Sequence, residues 1–267
     1  MEKRTFNKFR EIVYEKSGIS LSESKVALVS ARVGKRMRTL GMDDYKSYLK
    51  MVVSDESGEE IVHLLDAIST NVTHFFRESN HFDFLADVIK KWNDKGQRRF
   101  RVWSAASSSG EEPYSIAMTM LSTLEKSNVD LKILATDIST KVLSMCVKGL
   151  YTEDKLNTVP KDYVRKYFDV TKSPSGTLYQ VKNLLKQLIV FRRLNLSRPP
   201  FPMRGPLDII FCRNVMIYFD NVVRKRLLDE MFRLLKPGGY LMVGHAESLT
   251  GLVSEFKGVK PSIYIRP

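Results

Sequence analysis

Apolar positions recur at helical spacing through the first seventy residues. In "FNKFREIVYEKSG" the side chains of Phe6, Phe9, Ile12 and Val13 form one stripe, and Gly18 reads as the stop. "SESKVALVSARVGKRMRTLG" repeats the pattern, with Ser22 as the expected N-cap and Gly41 as the close. "DDYKSYLKMVV" opens at Asp43 or Asp44. "SGEEIVHLLDAIS" opens at Ser57, and Glu60 three residues on fits a capping box. Short connections between these helices predict a small bundle.

Past Thr73 the period switches back and forth. "HFDFLADVIKKWND", "EEPYSIAMTMLSTLEK", "STKVLSMCVKG" and "NVVRKRLLDEMFRLL" read as helices, the second with Pro113 in its first turn and the third capped by Ser139. "FRVWS", "LKILATD", "LDIIFCRN", "GGYLMVG" and "SIYIRP" read as strands. Strands alternating with helices predict an α/β fold, a parallel sheet covered on both faces. Between Tyr151 and Asn195 the rhythm breaks. "YVRKYFDV", "GTLYQV" and "QLIVFRRL" are short strand-like runs around the turn signal "TKSPSG". They predict a small antiparallel β insertion at about residues 163–190, its last run rejoining the main sheet. The expected division is a helical domain over 1–70 and a sheet domain over 71–267.

Composition narrows the function. At 43% hydrophobic the chain can bury a core, and no apolar run is long enough to span a bilayer. The N-terminus is charged throughout, without an apolar signal core. Cys146 and Cys212 lie far apart and fit neither a disulfide framework nor a metal spacing. His63, His74, His81 and His245 show no metal spacing either, so no metal is expected, and the chain reads as cytoplasmic. The net charge of +13 favours an acidic partner. It is concentrated in the first fifty residues, with 12 basic against 6 acidic side chains, and in 155–198, with 10 against 2.

Candidate chemistry begins at "WSAASSSGEEPYS", a small-residue loop between a strand and a helix. It has one glycine, Gly110, no lysine, and two glutamates, Glu111 and Glu112, that would repel a phosphate. A phosphate-free nucleoside with positive charge fits better, as S-adenosylmethionine does. Asp137 at the tip of "ILATD" is placed to accept ribose hydroxyls at the carboxyl edge of the sheet. The same position also serves the ribose of dinucleotides, but the glycines of a dinucleotide loop are missing. "LLKPGGYLMVG" looks like the late helix–turn–strand unit of class I methyltransferases. Arg213 and Asn214 follow an apolar strand at the ligand edge, and "STNVTHFFRE" places Asn71, Thr73 and Arg77 at the junction of the two regions.

Together "NVTHFFR", "VWSAASSSGEEPYSIAM", "LATDIS", "LNL", "IIFCRNVMIYF" and "LKPGGYL" resemble the CheR family, the chemotaxis receptor glutamate methyltransferases. The likeness spans nearly the whole chain. One departure, Ser107 and Ser108 at positions where mixed small residues stand, leaves the loop small. The resemblance implies a class I S-adenosylmethionine-dependent (Rossmann-like) sheet behind an all-α domain. It implies S-adenosylmethionine as methyl donor, S-adenosylhomocysteine as product, and chemoreceptor glutamates as acceptors. By the same resemblance Asn71, Thr73 and Arg77 line the cofactor pocket. Glu111 takes the amino end, Asp137 the ribose, and Asn195 and Leu196 flank the adenine, while Arg213 and Asn214 close the site. Arg77 or Arg213 is expected to hold the acceptor carboxylate, with Tyr218 as an aid. Acidic receptor helices would dock on Arg32, Lys35, Arg36 and Arg38, and a receptor C-terminal tail on the β insertion, by a monomer recruited to receptor arrays at the inner membrane face. Two rivals share features with this reading. A nucleic-acid methyltransferase suits the charge but lacks an N-P-P-[YF] or D-P-P-[YF] motif and a cysteine preceded by proline. A non-catalytic cofactor-sensing scaffold would not need the intact loop, Asp137 and the Arg213–Asn214 pair.

Overall fold

In the N-terminal region, helix α1 (Lys3–Ser17) stops where Gly18 enters the left-handed region at φ 73°. A Cβ on Gly18 would stand 2.4 Å from the Ser197 Cβ, so glycine is needed both for the turn and for the close approach. The computed structural model describes residues 1–267 apart from 70, 71, 125–127, 174, 175, 250 and 253. Helix α2 (Val26–Thr39) begins later than its pattern predicts. Glu23–Lys25 is a single 3₁₀ turn, and the Ser22 hydroxyl meets Ser24 rather than a helix N–H. Helix α3 (Tyr45–Ser54) opens on Asp44, whose carboxylate accepts the Ser47 N–H at 2.8 Å.

Helix α4 (Glu59–Ile68) follows Gly58, and the expected capping box does not form. Asp55 instead accepts the N–H groups of Ser57 and Glu60, at 3.0 and 2.7 Å. The Glu60 carboxylate turns inward, taking Arg36 at 2.9 and 2.6 Å and the Tyr48 hydroxyl at 2.6 Å. A charge-assisted fork beneath the helix outcompetes a single exposed backbone N–H. Around this group Phe6, Phe9, Val13, Val33, Tyr48 and Leu64 bury completely and make the core of the bundle.

The remaining chain supplies helix α5 (Asn80–Asp94), strand β1 (Arg99–Ser104), helix α6 (Glu111–Thr123), strand β2 (Asp130–Asp137) and helix α7 (Thr140–Lys148). Strand β3 (Leu150–Thr152), helix α8 (Lys161–Tyr167), strands β4 (Phe168–Ser173) and β5 (Gly176–Val181), the short α9 (Asn183–Lys186) and strand β6 (Ile189–Arg193) follow. Strand β7 (Leu207–Cys212), helix α10 (Asn221–Leu234) and strands β8 (Leu235–Val243), β9 (Lys257–Lys260) and β10 (Ile263–Ile265) complete it.

Seven strands form one sheet in the order β6-β2-β1-β7-β8-β10-β9. The first five run parallel, and β10 and β9 add antiparallel at the edge. Alternation sorts the faces. Phe100, Val102, Ile133, Ile209 and Phe211 join the cluster with α5 and α6, while Trp103, Ile210 and Cys212 pack with Leu227, Leu228 and Met231 of α10.

A second sheet of three strands has the order β3-β5-β4. It starts at Leu150, earlier than the expected insertion, because the three-residue β3 carries too short a pattern to read. The first half of "YVRKYFDV" is helical, and the strand begins only at Phe168. The last run pairs parallel to β2 as β6, as the pattern suggested. Because Glu60 is nearly buried with three donors on it, Glu60→Ala should cost about 3 kcal/mol in urea unfolding by stranding Arg36 and Tyr48; a loss below about 0.5 kcal/mol would show the group to be marginal.

Candidate cofactor cleft

The carboxyl ends of β1, β2 and β7 open into a cleft of about 1220 Å³ including its mouth. Here the strand order turns back, with β2 on one side of β1 and β7 on the other, which is where open α/β sheets hold ligands. The bundle supplies the opposite wall, through Ile19, Leu21, Val29 and Ile68.

The loop after β1 is tight. Gly110 at φ 101° starts α6, and a Cβ there would lie 2.8 Å from the Tyr151 hydroxyl. The N–H groups of Ala105, Ser107, Ser108 and Gly110 donate to Phe211, Thr136, Asp137 and Ser107. Those four donors are therefore unavailable to a phosphate, which needs a cradle of free N–H groups.

Asp137 ends β2 on the cleft floor. Its carboxylate accepts the N–H groups of Ser108 at 2.9 Å and Ser139 at 3.0 Å. Burial pushes its pKa up to about 6 against the pull of those bonds. The cap of α7 is Ser139, whose hydroxyl accepts the Val142 N–H at 3.2 Å. That leaves the remaining acceptor capacity of Asp137 facing the cleft.

Of the two glutamates at the start of α6, the expected one does not line the cleft. Glu111 is buried away from the cleft, its carboxylate accepting the Ser109 hydroxyl at 2.7 Å, with Lys155 at 3.7 Å. Glu112, one residue on, lines the cleft. It accepts the Ser104 hydroxyl at 2.7 Å and an Arg213 N–H at 3.1 Å. Burial raises its pKa despite Arg213. The one-residue difference is a helical phase of 100°.

Arg213 is almost fully buried between Glu112 and Glu78, the latter at 3.0 Å, and donates to the Arg77 carbonyl. Its two terminal nitrogens are thus engaged by these carboxylates and that carbonyl. Burial pushes Glu78 up, but Arg213 and its hydrogen bonds prevail and its pKa lies below the usual carboxylate range. Asn214 adopts φ 57°, a turn asparagine tolerates. Its N–H donates at 2.6 Å to Glu247, which also accepts from Gly244 at 2.7 Å. Glu78 and Glu247 escaped sequence reasoning, since each acts through a turn folded from distant segments. The only signal was the polar run "RES" beside a phenylalanine pair.

Thr73, Arg77, Leu196, Asn214 and Tyr218 all line the cleft, and Asn71 lies outside the described residues. Arg77 donates to the Val72 carbonyl at 2.9 Å and has no ion pair among the described residues. Asn195 also lines the cleft, but its side chain is committed to structure: it donates to the Lys16 carbonyl at 2.7 Å and accepts from Ser197. Tyr218 sits under Lys25, whose Nζ is 5.5 Å from the ring centroid. The cleft thus joins a carboxylate floor, a second carboxylate beside a buried guanidinium, and apolar walls. These residues fit S-adenosylmethionine, with a ribose to meet Asp137 and a cationic amino-acid end to meet Glu112.

Comparison with known proteins agrees. A family model described as "CheR methyltransferase, all-alpha domain" matches residues 4–69, and "CheR methyltransferase, SAM binding domain" matches residues 71–265. A "Chemotaxis protein methyltransferase" of Borreliella burgdorferi is 40% identical over 248 residues, covering 90% of this chain and 87% of the relative. One of Salmonella typhimurium is 37% identical over 259 residues, covering 97% and 88%. "Chemotaxis protein methyltransferase 2" of Pseudomonas aeruginosa is 39% identical over 259 residues, covering 97% and 91%. With the two family models together matching residues 4–69 and 71–265, the chain belongs to the CheR methyltransferase family.

Proposed function

We propose that this protein methylates glutamate side chains of chemoreceptors, forming glutamyl methyl esters in chemotaxis adaptation. The observation that carries the reading is the pairing of Asp137 and Glu112 on one cleft, with Arg77 beside them in no ion pair among the described residues. The names of the three relatives supply the chemotactic setting.

When bound, S-adenosylmethionine supplies a sulfonium methyl group that a carboxylate oxygen displaces in line. Asp137 is assigned to accept the ribose hydroxyls and Glu112 the ammonium of the amino-acid end. Leu196 and Ile138, which line the cleft, are assigned to flank the base, and a desolvated cleft favours a reaction in which opposite charges cancel. A glutamate acceptor is ionised near pH 7 with a pKa of about 4.3, so the chain needs no general base. Its task is placement. Arg77 is assigned to hold one acceptor oxygen while the other points at the methyl, with Tyr218 closing the same side. Arg213 is a positioning residue that aligns Glu112 and the Arg77 backbone.

For docking, two of the four expected basic residues are taken. Arg32 donates to the Ile68 carbonyl at 2.5 Å, and Arg36 is locked to Glu60. Lys35 and Arg38 stay exposed on α2, which supports them as contacts for acidic receptor helices. Strand β4 is an edge of the small sheet, which suits addition of an extended receptor tail. Among the described residues no helix is long and apolar enough to cross a membrane. We place the monomer in the cytoplasm at receptor arrays, with domain boundaries near 70 and the β insertion inside the second domain.

Incubation with methyl-labelled donor and receptor cytoplasmic fragments should yield label released as methanol by mild base. Label on DNA or RNA instead, stable to base, would overturn the assignment. Arg77→Ala should lower kcat by about 10²-fold while leaving the dissociation constant of S-adenosylhomocysteine within about threefold. Glu112→Gln should weaken S-adenosylhomocysteine at least about tenfold but spare 5′-methylthioadenosine, which lacks the amino-acid end; equal losses for both would refute the ammonium assignment. Asp137 binds as the carboxylate, so nucleoside affinity should fall as pH drops through about 6. The raised pKa also means that the ligand-free fold loses some stability as pH climbs from about 4 to 6. Asp137→Asn should remove the affinity step, and calorimetry between pH 5 and 8 reads it.

A further inference from the structure

The Glu78 oxygen that accepts from Arg213, Oε2, also faces two histidines. The atoms that Glu78, His81 and His245 offer all lie within 4.8 Å of one another. Glu78 Oε2 is 3.6 Å from His81 Nδ1 and 4.0 Å from His245 Nε2. Three separate elements converge there: the turn after Phe76, the start of α5, and the turn after β8.

The hydrogen bonds settle the His81 tautomer. The Ser262 hydroxyl donates to the Pro261 carbonyl at 2.6 Å, because that carbonyl can only accept. Ser262 Oγ must then accept from His81 Nε2–H at 2.7 Å. His81 Nδ1 is left as a bare lone pair, fully buried and without a hydrogen-bond partner. It faces a carboxylate, which is also an acceptor. Two acceptors aimed at one space repel unless a cation stands between them.

We propose that Glu78, His81 and His245 form a site for a divalent transition-metal ion of the zinc class, and that an ion there draws Glu78 from Arg213 and so tunes the donor cleft. The donors are two imidazoles and one carboxylate, a set that zinc takes with bonds of about 2.0–2.2 Å. Tetrahedral ligands on such an ion stand roughly 3.3–3.6 Å apart, so Glu78 Oε2 and His81 Nδ1 at 3.6 Å are already placed, while His245 Nε2 at 4.0 Å has to close in. His245 is half exposed and can turn from Asn80, 3.1 Å away, to complete the set. The Nε2–H of His81 held by Ser262 is the outer-shell bond that orients a ligating imidazole. Charge agrees as well: two carboxylates, Glu78 and Glu112, share the one Arg213 guanidinium.

The test uses the metal-stripped full chain titrated with zinc chloride in a calorimeter, with cobalt as a spectroscopic stand-in. One ion per chain is expected, with visible cobalt bands of a four- or five-coordinate nitrogen–oxygen site. His245→Ala, a change at an exposed side chain, should weaken zinc at least about tenfold with an unchanged Tm, and Ser262→Ala should weaken it by a similar factor. Zinc affinity undiminished in both variants overturns the site. Saturating zinc should also shift the S-adenosylhomocysteine dissociation constant several-fold in the parent protein and not in His245→Ala. An unshifted constant in zinc-loaded parent protein overturns the link through Arg213.

Discussion

One buried guanidinium organises the cleft. Arg213 ties the end of β7 to Glu112 at the start of α6, to Glu78 before α5, and to the backbone of Arg77. A charge this deep is tolerated only when its partners are held in place, and losing one partner strands the rest. Phe82 lies beneath it at 5.7 Å from the ring centroid, closing the side that no carboxylate covers. Glu247 then braces the next residue from below by accepting the Asn214 N–H. Three chain segments reach the cleft in register because they meet at this ion.

Residues next to one another in sequence carried most of what could be read in advance. The loop from Trp103 to Ser115, Asp137 at a strand tip and Arg213–Asn214 past an apolar strand all sit where their local patterns put them. Legibility ended where partners come from afar. Glu111 and Glu112 are equivalent in composition, and only the packing of α6 decides which meets the cleft. Asn195 had the position of a ligand contact, yet its amide is taken by Lys16 of a helix almost 180 residues away. Ser57 and Glu60 fitted a capping box, but the partly buried Arg36 offered Glu60 a stronger bond.

The basic surplus divides in the same manner. On α2 the guanidinium groups of Arg32 and Arg36 turn inward, one to the carbonyls ending α4 and one to Glu60. Lys35 and Arg38, interleaved with them, face solvent. A count of positive charge thus overstates the positive surface, and helical phase determines which charges reach solvent.

The contact at Gly18 has a wider consequence. Beside it, Arg198 and Asn195 hold the carbonyls of Glu15 and Lys16, Ser20 donates to Tyr218, and the Tyr14 hydroxyl reaches Asp220 at 2.6 Å. The helical bundle is stitched to the rim of the sheet by backbone groups rather than resting on it as a detachable cap. Exchanging this bundle for that of a homologue would therefore graft a foreign hem onto the Asn195–Arg198 and Tyr218–Asp220 loops. Chimeras cut at the junction should keep their chemistry only when both loops travel with the helices.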